Sequence, residues 1–356
     1  MRINHQSPLS NTPNNPMGRR NFLAILSAAS GSAFIASPVF GKLIETGSTS
    51  SGLADEPILA WDTIHKAGLH VMADQSTGGN ALVMTTATQT LLVDTKFAHL
   101  GGALVEDAKA FAGPQDQFEL TLINTHHHGD HTGGNGMVVP FASASYAHEN
   151  ALPRIESQLD RYKQGASNGP AQVGRSRGAK TLLEQAINAA AAGEAWTKDD
   201  VVPKAAVQDH HAIDLDGTTV DMHHFGAGHT DNDLVVHIKE HDIIHTGDLV
   251  FAGLHPYMDA SAGVTARGWV ESLESILKLC DQSTIVIPGH GPVGTKKTVQ
   301  SQLDYLKELI EHVQKDIDAG VSKADCAEKS WDFMDGLGFE SVRSRAIETT
   351  YDELAG

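Results

Sequence analysis

The stretch "NTHHHGDHTGGNG", residues 124–136, constrains this chain more than any other. It places four histidines and one aspartate in the six positions His126–His131. A loop this rich in imidazole and carboxylate has almost nothing apolar to bury. A metal ion would give the residues a common partner, but such a site needs more ligands than one loop supplies. The apolar run "FELTLINT" (118–125) leads straight into it and reads as a strand.

Three further donors occupy the same kind of position. His229 lies in "GAGHT", Asp248 in "HTGDLV" and His290 in "PGHG", each shortly after an apolar strand-like run. Glycine flanks every one of them and allows sharp turns and close approach. Zinc takes nitrogen and oxygen donors at about 2 Å and keeps a position open for water in catalytic sites. His126, His128, Asp130, His131, His229, Asp248 and His290 are too many donors for one zinc. They fit two, with one carboxylate shared. Two ions about 3.5–4 Å apart can hold a hydroxide between them and polarise a carbonyl or phosphoryl oxygen.

The rest of the composition fits that expectation. The chain has 356 residues and is 40% hydrophobic, which supports a substantial core. A formal net charge of -18 argues against a nucleic-acid partner and suits a site that attracts cations. A small-molecule substrate is expected. Residues 1–41 read as an export signal: Arg19 and Arg20 precede a moderately apolar run too short and too small-residue-rich to span a bilayer well. "GRRNFL" resembles the bacterial twin-arginine signal, which implies a periplasmic or secreted protein with no stable membrane span after signal removal. Residues 42–57 read as a linker. Cys280 and Cys326, the chain's two cysteines, are expected to be buried free thiols.

Residues 58–318 read as one domain. Strand signals fall at 68–74, 80–86, 89–95 and 118–125, and 136–150 reads as a strand and turn. They return at 212–230, 233–240, 242–251 and 283–291. Helical spacing marks 101–111, 267–280 and 297–318. Residues 151–206 are Ala-rich and read as a helical insertion near the mouth of the site. Residues 319–356 read as a helical tail packed on the domain. The order of two strand blocks with helices predicts an α+β fold, a four-layer αββα sandwich.

The residue set resembles that of the metallo-β-lactamase superfamily. "THHHGDH" is similar to the family's H-x-H-x-D-H loop, and "GAGHTDNDLVVHI", "HTGDLVF" and "IVIPGHGPV" are similar to its later strands. By that resemblance His126, His128 and His229 hold the first metal, Asp130, His131 and His290 the second, and Asp248 bridges. Asp130 would also orient the attacking hydroxide or take its proton. His127 is expected to point away from the ions. Asp94 is expected to hold the ligand loop by hydrogen bonds, and Thr230 to do the same for its neighbours. His245 and His255 are candidates for the pocket lining. His148, His210, His211, His223, His224, His237 and His241 are expected to be structural or solvated.

The resemblance implies a binuclear zinc hydrolase acting on a small ester, thioester, lactone or amide. Phe251 stands where many of the family's β-lactamases carry a substrate-gripping Lys, and Asp248 where many carry Cys; both weigh against a β-lactamase. That activity remains an alternative, as do a single-iron persulfide dioxygenase and a non-hydrolytic metal-binding accessory protein.

Overall fold

The computed structural model describes residues 44–45, 57–64, 69–73, 75–114, 118–173 and 180–356. The expected export signal lies outside them. Among the described residues, fourteen strands form two sheets. The first holds β1 (Ile44–Glu45), β2 (Asp62–Ile64), β3 (Leu69–Met72), β4 (Ala81–Thr85), β5 (Gln89–Val93), β6 (Glu119–Ile123), β7 (Ala142–His148) and β8 (Ala205–Val207), in that order. Strands β1 to β5 are antiparallel, and β5 to β8 run parallel. The second has the order β14-β13-β12-β11-β10-β9, from β9 (His210–Leu215), β10 (Thr218–His223), β11 (Val235–Ile238), β12 (Ile243–His245), β13 (Ile285–Ile287) and β14 (Gly294–Thr295).

Period-two alternation decides the layers. Leu82, Met84, Leu91, Val93 and Ile123 meet Val220, Met222, Val236, Ile238 and Ile287 between the sheets. Their neighbours Val83, Leu92 and Leu122 face outward onto helix α1 (Gly101–Ala112), through Ala103, Leu104 and Ala108. On the far side, Val235, Ile244 and Val286 of the second sheet pack on α4 (Ala266–Leu279), α5 (Lys296–Asp318) and α6 (Arg343–Ala355), once α2 (Leu159–Val173) and α3 (Lys180–Gly193) are counted in chain order. The result is the four-layer αββα sandwich. Helix α5 presents Leu303, Leu306, Leu309 and Val313 to this layer, the stripe its 3.6-residue period calls for.

Helices α2 and α3 pack on each other in a separate small core with Tyr162, Ala166, Ala189 and Trp196. Some details differ from the sequence expectation. β2 and β8 carry too few residues to show a period. Asn135–Val138, at the start of a stretch read as strand and turn, is a short helix. β1 falls within the stretch read as linker. Cys280 and Cys326 are buried and free, as expected. Among the described residues, no helix is long and apolar enough to cross a membrane.

Candidate metal centre

All seven expected donors converge at one end of the sandwich. His126 to His131 follow β6, His229 follows β10, Asp248 follows β12 and His290 follows β13. All seven are buried. His126, His128, His229 and Asp248 form one group whose ligand atoms lie within 4.8 Å of one another, and Asp130, His131 and His290 form another. In the first, His126 Nε2 and His229 Nε2 each lie 3.0 Å from His128 Nδ1. Asp248 spans both groups. Its Oδ2 is 3.7 Å from His126 Nε2 and 3.5 Å from His229 Nε2. Its Oδ1 is 3.0 Å from His131 Nε2 and 3.5 Å from His290 Nε2.

The outer nitrogens show where the protons sit. His126 Nδ1 lies 3.1 Å from Thr125 Oγ1, a hydroxyl that itself donates to Asp94. His128 Nε2 lies 2.8 Å from Asp259 Oδ2, and His229 Nδ1 2.7 Å from the Tyr257 carbonyl. His131 Nδ1 lies 2.7 Å from Asp94 Oδ2. Each outer nitrogen faces an oxygen that can take its proton, so each ring in its neutral form presents a lone pair inward. Two lone pairs each 3.0 Å from the His128 Nδ1 lone pair repel it unless a cation lies among them. A tetrahedral ion with arms of about 2 Å would set donors about 3.3 Å apart, so the spacing fits. Asp248 Oδ1 is also buried with no hydrogen-bond partner. The donor set therefore fits metal ions.

Without metal, protons take that role. Burial opposes charge on His131, but Asp248, Asp94 and Asp130 outweigh it and raise its pKa well above the ordinary value. Burial likewise opposes charge on His290, yet Asp248 and Asp130 raise it to about 9. Burial would raise Asp130, but His131 and His290 outweigh it and hold its carboxyl below the usual range. Burial drives His126 far down, further lowered by the neighbouring histidines, and brings His229 to about 4.

Two glycines permit the convergence. A Cβ on Gly79 would sit 2.0 Å from the His131 ring, and one on Gly289 would sit 2.0 Å from Asp248 Oδ1. Asn80 ties the halves together: its amide Nδ2 donates to the carbonyls of Pro288 and Gly291, either side of His290, and its backbone N–H to Gly289.

The other expectations resolve as follows. Asp94 accepts from the Thr125 amide and hydroxyl as well as His131, so it does hold the ligand loop. His127 stays outside both groups of donors, against Asn232 and near Asp259. Thr230 binds Asp233 and accepts from the Asn232 amide. His245 contacts the Asn80 carbonyl and His255 contacts Tyr305 and Glu340, so both are wholly buried supports. Asp259 and Asn80 escaped the sequence reading. A cavity of about 580 Å³ opens nearby, lined by Phe251, Leu254, Gln302, Tyr305 and others but by none of the seven donors. Phe251 joins the two, because its ring also stacks on His290 with centroids 5.3 Å apart.

The family model of the metallo-beta-lactamase superfamily matches residues 76–290, more than half of the chain. The chain belongs to the metallo-beta-lactamase superfamily. Within it, a type 2 metallo-beta-lactamase of Bacillus cereus is 30% identical over 141 residues, covering 38% of this chain and 55% of that protein. A second, from Bacillus sp. (strain 170), is 33% identical over 90 residues, covering 25% and 35%. The stereoselective inverting sec-alkylsulfatase Pisa1 from Pseudomonas sp. superposes with a TM-score of 0.56 at 14% identity, over 82% of this chain and 50% of that one. That likeness is one of fold. The chain spans between 35% and 55% of the length of the curated beta-lactamases it matches.

Proposed function

We propose that this superfamily member is an exported hydrolase that holds two zinc ions and cleaves a small ester, thioester, lactone or amide. The observation that carries the reading is Asp248, whose two oxygens turn to two separate groups of donors. His126, His128 and His229 would hold one ion, and Asp130, His131 and His290 the other. When bound, the ions would supply Lewis acidity toward a carbonyl oxygen and lower the pKa of water to about 7.

The protein's own residues do the rest. Asp130, buried within the second group with its Oδ2 3.3 Å from His290 Nε2, is placed to accept a proton from the attacking water. Asp94 and Asp259 fix which nitrogen of His131 and of His128 faces inward. Phe251 presents an apolar ring beside His290, which suits an uncharged acyl portion. The "GRRNFL" segment supports export, and N-terminal sequencing of material from the cell exterior or periplasm tests that part.

Metal analysis with an activity panel tests the hydrolase. The centre around Asp248 is expected to retain two equivalents of zinc in purified protein, beyond any ion held elsewhere on the chain, and the protein to turn over at least one of a lactone, a thioester or a p-nitrophenyl ester. Less than one equivalent after careful loading overturns the reading. Asp130→Ala is expected to lower kcat by about 10²–10⁴-fold with the fold intact. β-Lactam cleavage is the second reading, favoured by the relatives among the type 2 beta-lactamases. Nitrocefin in the same panel separates the two.

A further inference from the structure

The outer face of the second sheet carries a cluster that the centre at its end does not use. Antiparallel register sets His210 of β9 opposite His223 of β10, and Asp221 of β10 opposite His237 of β11. Val220, Met222, Val236 and Ile238 alternate with these residues and fill the core between the sheets. The three histidines and the aspartate therefore share the opposite face.

There they lie close together. His210 Nε2 is 2.6 Å from Asp221 Oδ1. The His210 and His223 rings are 4.7 Å apart between centroids. One ligand atom from each of His210, Asp221 and His223 lies within 4.8 Å of the others. His223 Nε2 and His237 Nδ1 are buried, and neither has a hydrogen-bond partner. Buried polar nitrogens are seldom left so, and each one calls for an explanation. Asp221 is itself only 2% exposed, an unusual place for a carboxylate on a sheet face.

We propose that His210, Asp221 and His223, with His237 beside them, form a peripheral site for a divalent transition metal ion such as zinc or copper(II). Imidazoles with one carboxylate suit these ions and not calcium or magnesium, which take all-oxygen shells. Three hydrogen-bonded strands fix the donors, so little ordering remains when an ion enters. Solvent reaches the site, because the side chains of His210 and Lys239 are 50% and 51% exposed. In the metal-free protein, Lys239 Nζ lies 2.6 Å from Asp221 Oδ2 and supplies the positive charge. On metal binding the ammonium swings into water. The His210 proton moves to Nδ1, which frees Nε2 as a ligand. The ion then staples the edge strand β9 to β10 and β11.

The test compares full-length wild type with the double variant His210→Ala/His223→Ala. Both are stripped, loaded with zinc and freed of excess. The variant is expected to retain one equivalent fewer. The comparison is a difference, so it holds whatever number the His126 centre retains, and a failure there reads out separately. Copper(II), which binds imidazole and carboxylate donors more tightly than zinc, is expected to displace the peripheral zinc of wild type and to give an electron paramagnetic resonance spectrum with coupling to two or three imidazole nitrogens, absent from the variant. Lys239→Met removes the competing charge and is expected to tighten copper binding by about tenfold. Equal zinc counts in wild type and a folded double variant overturn the proposal. So does unchanged copper affinity in Lys239→Met, which settles the matter even where the double variant fails to fold.

Discussion

A single carboxylate, Asp94, organises much of the ligand loop. It is fully buried, with a left-handed backbone (φ 62°), and receives hydrogen bonds from the Thr125 amide, the Thr125 hydroxyl and His131 Nδ1. The first two fix the start of the loop. The third sets the tautomer of His131, and the Thr125 hydroxyl passes the same influence to His126. Asp94→Ala is therefore expected to weaken metal binding by about 10–100-fold, the usual cost of losing a carboxylate behind a ligating histidine. Metal titration against a chelating indicator checks this, and unchanged affinity would remove Asp94 from the site. Asp94 was legible in the sequence because it ends the apolar run "LLVD". Asp259 was not. It plays the matching part for His128 from 131 residues away, in a segment with no period to read.

Among the elements, helix α2 of the Ala-rich middle stretch reaches the ligand loop. Helix α2 buries Tyr162, whose hydroxyl lies 2.6 Å from Thr132 Oγ1. Thr132 in turn donates to the His128 carbonyl at 2.8 Å. The insertion thus props the loop from behind. Burial lifts the Tyr162 pKa well above the ordinary phenol value, so the hydroxyl keeps its proton across the working range. Tyr162→Phe removes one buried hydrogen bond and is expected to cost about 1 kcal/mol, or roughly 2–4 °C in Tm. If the loop is propped in this way, metal release to a chelator also speeds up. A lower Tm with unchanged release would limit Tyr162 to stability. The composition of 151–206 showed that helices would form, while the partner they would brace depended on the chain's path. The same holds for β8, whose three residues become a strand only because β7 is there to pair with them.

For the molecule as a whole, the centre couples metal, protons and stability. In the metal-free protein His131 and His290 are raised, so they bind more protons folded than unfolded. Their contribution is present below the ordinary histidine pKa of 6.5 and is lost as pH rises through about 9. His126 and His229 are lowered, so their buried neutral forms lose stability as pH falls from 6.5 toward about 4. The Tm of metal-free protein is therefore expected to peak near pH 6.5 and to fall on both sides. Metal needs the deprotonated ligands, so the gap in Tm between loaded and stripped protein is expected to widen from pH 6.5 to 9. Calorimetry of both forms across that range checks it, and a constant gap would show that these histidines do not exchange protons for metal.

The sequence by itself determined the candidate donors and the type of fold. Those depend on local chemistry: imidazole and carboxylate after apolar runs, glycine where the turns tighten, and periods of two and of 3.6. Only the tertiary structure decided which oxygen of Asp248 turns to which group, which nitrogen of each histidine points inward, and that Asp259, Asn80 and Tyr162 stand behind the loop. It also brought His210, Asp221 and His223 together on a sheet face where the sequence suggested only scattered polar residues. Side-chain orientation and partner choice are set by contacts between residues far apart in the chain, and strand register, which aligns them, is fixed only when the sheets close on their core.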